Sequence, residues 1–413
     1  MSSFFIPLSG LAATSSALNV IANNLANLGT DGYKEEKLNF ASIFNQMQGA
    51  SGNGNPIQTG DGVQIAARIS DFSNGKTETT GVSSNMALQG NGFFVVKDNT
   101  GTYYTRAGDF TVNASGEICT PQGQLVLGYP AVSGVVSTSA ALAPLDVTQV
   151  GTIPASATTK LQMTTNLNAG ASVGDTYNSS LTVYDSLGAT HVLTVQYTKT
   201  AENTWSYNIT VPSADVGGTG SSTAVASGTL RFDSSGVLTS PTGSVTGINI
   251  TGLADGAADM SLAWNLNGSG TTPIITQDDA TSATSETQQN GYAEGSLTGY
   301  TISSDGTIEG EFSNEQTLAL GMVAIASFAN NEGLAQVGNT SAYEETAASG
   351  AATIGRANAG GNGTLTGGAV EESNVDLSTE FANMIVAQQG YEANAKVLTT
   401  LNQVAQATIQ AIT

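Results

Sequence analysis

The sequence predicts an α+β chain, with long N- and C-terminal helices forming a coiled-coil stalk and two mainly-β domains inserted between them. Three observations predict it. Each end of the chain carries a proline-free apolar row at spacings of three and four. The middle alternates short apolar runs with Asn-, Asp- and Gly-rich turns. Residues 1–30 contain no charged side chain, although the whole chain carries a net charge of -22.

The C-terminal row begins after Asp376, a residue suited to an N-cap, with Glu380 in the first turn against the positive helix end. It runs through Leu377, Phe381, Met384, Gln388, Tyr391, Ala395, Leu398, Asn402, Ala405, Ile409 and Ile412. A row at this spacing forms one stripe along a helix, the seam of a coiled coil. At 1.5 Å per residue the helix spans about 55 Å, more than a small core covers, so it calls for a partner helix. The N-terminal row Leu11, Thr14, Leu18, Ile21, Leu25 and Leu28 supplies one, ending near Gly29. The expected seam residues are Leu11, Leu18, Ile21, Leu25, Leu28, Leu377, Phe381, Met384, Tyr391, Leu398, Ile409 and Ile412. Neither segment reads as an unbroken apolar run of membrane-spanning length.

Between the helices, residues 31–70 and 358–370 read as linkers. Phe40, Ile43, Phe44 and Met47 are spaced for a short helix, GASGNGNPIQTGDG reads as a loop, and VQIAARISDF alternates as a strand does. Residues 71–145 and 285–357 read as an inner β domain, with hairpin turns at NGF, DNTG, NASG and PQG. LALGMVAIASF, bounded by Gly and Asn, reads as a buried strand. Residues 146–284 read as an outer β domain inserted in the inner one. The stretch from about 131 to 168 reads as a crossing between them. VYDSLGATHVLTVQYT forms a hairpin around DSLG, TLRFDSSGVL turns at DSSG, and SADVGGTGSSTAVASG reads as a surface loop.

The composition excludes several function classes. Lys and Arg number only 11 and are scattered, so no basic patch serves nucleic acid. The acidic balance opposes anionic membranes. The single Cys119 permits no internal disulfide and reads as a small buried or half-buried strand residue. The single His191 has no metal or triad partners visible in sequence and reads as a partly exposed strand residue. Gly90-Asn91-Gly92 lacks the third glycine and helix of a dinucleotide loop. Asp185, Asp233 and Asp305 occupy turns without the oxygen ligands of a calcium loop. No catalytic residue, cofactor or metal is assigned, and the chain is not read as an enzyme. The N-terminus lacks the basic start of a signal peptide, so an exported chain would leave without a cleaved leader.

Two motifs carry a resemblance. SGLAATSSALNVIANNLANLGTDGYK holds Ser9, Gly10, Leu11, Ala22, Asn23, Asn24, Ala26, Asn27, Thr30, Gly32, Tyr33 and Lys34, and SNVDLSTEFANMIVAQQGYEANAKVLTTLNQV holds Ser373, Asn374, Val375, Asp376, Met384, Ile385, Gln388, Tyr391, Asn394 and Ala395. With LQGNGFFVV, YTRAGDFTVNASGEI and SNEQTLALGMVAIASFANNEGL, the chain resembles the flagellar hook proteins within the family of bacterial axial flagellar subunits. Distal-rod members are shorter and lack an inserted outer domain.

The resemblance implies a self-assembling extracellular subunit of a curved tube that passes motor torque to the filament as a universal joint. It implies, as partners, other copies of the chain, a distal rod protein, a hook cap protein and a hook–filament junction protein. Other readings are a distal-rod or other axial flagellar subunit, or a secreted β-rich adhesin suggested by the Ser-, Thr- and Gly-rich region from about 170 to 270.

Overall fold

The computed structural model describes residues 4–43, 46–50, 56–268, 270, 272–338 and 341–412. The chain divides into two compact units, one of Met1–Val150, Gly299–Glu311 and Thr317–Thr413, the other of Gly151–Thr298 and Phe312–Gln316.

The first unit contains both terminal helices, α1 (Phe5–Ala26) and α2 (Leu377–Ile412). Its sheet is organised on the strand Thr317–Ser327, the apolar run singled out in the sequence. That strand pairs antiparallel with Leu125–Val132, with Phe93–Lys97 and with Thr353–Arg356. Phe93–Lys97 continues the sheet to Thr102–Thr105, and that strand to Ala342–Glu344. Both faces are covered. Phe93 and Val95 join Tyr104, Tyr129, Met322 and Tyr343 in one cluster, while Phe94, fully buried on the other face, meets Phe110 edge-on at 5.1 Å. A strand covered on both faces has no polar side to show, which is why these segments read as continuous apolar runs rather than alternating ones. Cys119 is buried in the two-residue strand Ile118–Cys119, as expected.

The expected linkers are structured. Glu36–Ser42 pairs with Val63–Ser70 in an antiparallel hairpin bulged between Asn39 and Phe40, and Gln46–Ala50 pairs with Pro56–Thr59. The short helix expected over Phe40 to Met47 does not form. Phe40 stands in a strand opposite Ile65, because the cross-strand pair satisfies the backbone of a segment too short to nucleate a helix. Phe44 lies outside the described residues, as do the side chains of Met47 and Ile412. Near the other end, Thr364–Gly367 pairs with Met86–Gln89 and Ala369–Glu371 with Thr77–Thr79.

The second unit is a pair of five-stranded sheets closing on one core. One is an antiparallel meander of Thr176–Tyr184, Thr190–Ala201, Thr204–Pro212, Ser222–Phe232 and Leu238–Ser240. The other centres on Lys160–Asn166, which pairs in parallel with Met260–Asn265 and Ile275–Thr276 and antiparallel with Ala283–Gln289. Here period-two burial is clear. His191, Leu193, Val195, Tyr197 and Lys199 point inward and their neighbours do not. Trp205 and Trp264 fill the shared core, and Trp264 meets Tyr207 edge-on at 5.4 Å.

The DSLG and DSSG hairpins form as expected, each with its Asp carboxylate accepting backbone N–H groups. Three expectations are corrected. The stretch read as an inter-domain crossing contains the central strand Lys160–Asn166. The stretch read as a surface loop from Ser213 is a 3-10 turn, Ser213–Val216, followed by the start of strand Ser222–Phe232. His191 is 6% exposed and sits between Asp185, from the turn of its own hairpin, and Asp215, 24 residues on, so it is neither exposed nor without partners.

Replacing Trp264 with Ala is expected to destabilise the second unit by about 3–5 kcal/mol. Urea unfolding followed by Trp205 fluorescence measures it.

Candidate assembly surface

The terminal helices run antiparallel along each other, and small residues set their spacing. A Cβ on Gly10 would stand 2.8 Å from Asn394 Oδ1, and one on Gly390 would stand 3.3 Å from Thr14 Cγ2. At the opposite end Asn24 Nδ2 reaches Glu380 Oε2 at 3.4 Å. The buried row of α1 is Pro7, Gly10, Ala13, Val20, Ile21 and Asn24. This corrects the expected contact face. Of the predicted α1 residues only Ile21 is buried; Leu11, Leu18 and Leu25 are half-buried and Leu28 is exposed. Large side chains mark a stripe in sequence, but a close helix pair puts its smallest residues at the contact.

The predicted α2 row faces largely outward. Leu377, Phe381, Tyr391 and Ile409 are 43–64% exposed, while Met384 and Leu398 are half-buried. Ile385, Val386, Val397 and Val404 are exposed beside them, and α1 adds Phe5 and Leu8. In the register set by Gly10 and Asn394, residues 400–412 of α2 extend past the first described turn of α1. An open groove of about 930 Å³ lies between the two helices and the hairpin base, lined by Ile6, Ala17, Phe40, Val63, Val386 and Ala387 among others.

By length and composition α1 is also long enough and apolar enough to cross a membrane, which corrects the reading made from its interrupted pattern. A helix packed along a partner passes the same test, and α1 turns its buried row toward α2.

The roots of both helices are anchored by buried polar groups. The Asn24 side chain, 1% exposed, pairs with the Glu36 backbone as a strand would: Nδ2 donates to Glu36 O at 2.9 Å and Oδ1 accepts from Glu36 N at 3.1 Å. Oδ1 also accepts the Tyr33 hydroxyl at 3.0 Å. Burial, aided by the Glu36 carboxylate, pushes the Tyr33 hydroxyl up to about 12. Arg68 closes on Glu36 from the facing strand. Asp376 caps α2, its Oδ1 accepting from Thr379 N at 2.7 Å, and that bond holds its carboxyl below the ordinary range.

A second anchor is ionic. Lys34 Nζ donates to Glu371 Oε1 at 2.7 Å and to Ser73 O at 2.7 Å. Arg106 approaches the other Glu371 oxygen at 3.4 Å and donates to Gly90 O at 2.7 Å. All three charged residues are about 1% exposed. Burial pulls Lys34 and Arg106 below their ordinary values, and Glu371 opposes the shift. Asn374 completes the join: its Oδ1 accepts from Glu35 N at 2.7 Å, and its Nδ2 donates to Asp71 O at 2.8 Å. Gly32, at φ +67°, donates to Glu371 O, and a Cβ there would collide with the backbone of Arg106 and Ala107. The two terminal motifs are thus one interlocked structure. The sequence paired the two helices through their apolar rows, while the polar residues that join their roots lie outside those rows.

The comparisons follow this division. Residues 7–34 match "Flagella basal body rod protein", and residues 366–411 match "Flagellar basal body rod FlgEFG protein C-terminal". Residues 87–164 match "Flagellar hook protein FlgE/F/G D1 domain", and 152–292 match "Flagellar basal body protein FlaE D2 domain". The flagellar hook protein FlgE of Salmonella typhimurium is 37% identical over 416 residues, covering 97% of this chain and 98% of the relative. The chain belongs to the flagellar hook protein family. The hook protein FlgE of Escherichia coli is 37% identical with 96% of each chain covered, and that of Treponema pallidum is 32% identical with 97% of each covered. The crystal structure of Helicobacter pylori hook protein FlgE2 shares the fold with a TM-score of 0.52 at 16% identity, over 70% of this chain and 98% of that one. As a family member the chain is a structural subunit of the flagellar hook. It polymerises with itself and associates with other flagellar components.

Two outcomes are expected at the anchors. Lys34→Met leaves the Glu371 carboxylate with the Gly75 N–H and the longer Arg106 contact and costs about 3–5 kcal/mol in denaturant unfolding, as loss of one partner of a buried pair does. Because the folded state holds the Tyr33 proton more tightly than its ordinary value of 10, its contribution is complete below pH 10 and is lost as pH rises toward 12. Thermal melts across that window should show a smaller fall for Tyr33→Phe than for the unaltered chain.

Proposed function

We propose that the outward apolar rows of α1 and α2 are the surface on which copies of the chain assemble. They form the coiled-coil lining of a curved tube, with the β-rich parts outside it. The observation carrying this reading is the exposure of Phe381, Ile385, Tyr391, Val404 and Ile409 along a helix whose intramolecular contact uses Gly390 and Asn394. Apolar side chains in such number along one exposed element favour burial against another surface. Leu11, Leu18, Leu25, Leu28, Leu377, Met384 and Leu398 belong to the same proposed surface, as does, by sequence position, Ile412, whereas Ile21 lies in the buried row of α1. The uncharged N-terminal stretch suits that burial, since no charge there would have to leave water.

In this reading the polymer lies outside the cell and acts as a universal joint carrying motor torque to the filament. Its ends meet a distal rod protein, a hook cap protein and a hook–filament junction protein. The chain's own part is mechanical and involves no catalysis. The β-rich parts supply surfaces that slide as the tube bends, and the helices stay engaged.

The double variant Phe381→Asp, Ile385→Asp tests it. Both side chains are exposed in the single subunit, so its circular dichroism and melting should stay close to those of the unaltered chain. Electron microscopy should show tubes from the unaltered chain and none from the variant. Tubes of ordinary form from the variant would overturn the assignment of this surface.

A further inference from the structure

Apart from the helical surface, the second unit carries a cluster of one histidine and three carboxylates. We propose that His191, Asp185 and Asp255 bind one divalent transition-metal ion of the zinc type, with Asp215 orienting the imidazole. This inference stands independently of the assembly surface.

His191 lies on the inward row of strand Thr190–Ala201, its side chain 7% exposed. Asp215 Oδ2 lies 2.9 Å from Nδ1, and Asp185 Oδ2 lies 3.0 Å from Nε2. Asp255 Oδ2 lies 3.9 Å from Nε2. In the neutral ring with Nδ1–H donated to Asp215, the Nε2 lone pair faces two carboxylate oxygens. Three acceptors then converge with no donor among them, and a cation placed there satisfies all three. The pairing of a carboxylate with the far nitrogen is how proteins orient metal-ligating imidazoles.

The carboxylates are pre-aimed. Asp185 Oδ1 accepts from Leu187 N at 2.8 Å and Ala189 N at 2.9 Å, which leaves Oδ2 turned to Nε2. Asp255 Oδ1 accepts from Ala257 N at 3.0 Å, again freeing Oδ2. The segments bearing these residues are cross-tied. Ala258 N donates to Ser186 Oγ at 2.9 Å, and Ala254 N donates to Asp215 O at 2.8 Å. The three ligand atoms lie within 4.8 Å of one another. Zinc bonds of 2.0–2.2 Å in a tetrahedron separate neighbouring ligand atoms by about 3.4 Å, between the two Nε2–oxygen distances here. A small closure of Asp255, the most exposed of the group, completes three ligands, with water as the fourth. Its exposure also gives the ion a way in.

One nitrogen and two carboxylate oxygens suit zinc and its first-row neighbours better than calcium or magnesium, which take oxygen ligands alone. The bound ion would staple the turn at Asp185 to the loop at Asp255.

The test uses the full chain stripped with EDTA and titrated with zinc chloride at neutral pH by calorimetry, with melting followed in parallel. One ion per chain and a raised melting temperature are expected. Asp255→Asn should lose that site while keeping the circular dichroism of the unaltered chain. Asp215→Asn should weaken it by about 10–100-fold, as loss of an orienting carboxylate does. Cobalt in place of zinc should give the visible absorption of a nitrogen- and oxygen-ligated tetrahedral ion. No saturable binding, equal binding by Asp255→Asn, or calcium binding as tight as zinc would overturn the proposal. Stabilisation on mild acidification with no zinc uptake would overturn it too, and would assign the cluster to an imidazolium bridge.

Discussion

The Glu371 carboxylate, buried between Lys34 and Arg106, joins three segments that are far apart along the chain. Removing three charges from water is costly, and the arrangement holds because nearly every polar atom finds a partner: Ser73, Gly75, Leu88 and Gly90 all lend backbone groups. Such a cluster tolerates few alternative geometries. It fixes where the chain leaves α1 and where it re-enters α2. The Asn24–Glu36 pairing and the Asn374 bridges repeat that constraint a few ångströms away. The first unit thereby sets the starting direction of both helices.

From those roots the helices follow a different principle. Their mutual contact uses glycine, alanine, threonine and asparagine, which bring the backbones close and bury little apolar area. Val20 and Ile21 are buried, but most of the bulky residues of α2 stay outside. An arrangement that reserves its largest apolar side chains for an unfilled surface is well suited to a subunit whose stability is completed by its neighbours. The anchored roots give such a surface a defined orientation before any neighbour arrives.

The second unit is built more conventionally, with two sheets and one core dominated by Trp205, Trp264 and the inward rows of the meander. Its polar interior is confined to a few places. Gln277 receives the Trp205 indole N–H at 2.9 Å, Lys199 donates to the Ala169 carbonyl, and His191 stands within the carboxylate group at one end.

Local chemistry made much of this legible from residues alone. The apolar periodicities placed both helices, Asp376 marked the start of α2, and the D-x-x-G turns located the hairpins, because caps, turns and periodicity depend on neighbours within a few positions. Contacts between distant segments were not legible. The leucine row was read as the helix contact, yet Gly10 and Gly390 form it, since the closeness of two backbones is a property of the pair and leaves no mark in either stripe. Within residues 31–70 the alternation of VQIAARISDF marked the strand Val63–Ser70, but its partner Glu36–Ser42 read as linker and helix because only cross-strand pairing gives that segment its structure. His191 read as isolated because Asp215 and Asp255 lie 24 and more residues away. Only the folding of three turns onto one end of a sandwich brought those carboxylates to its ring.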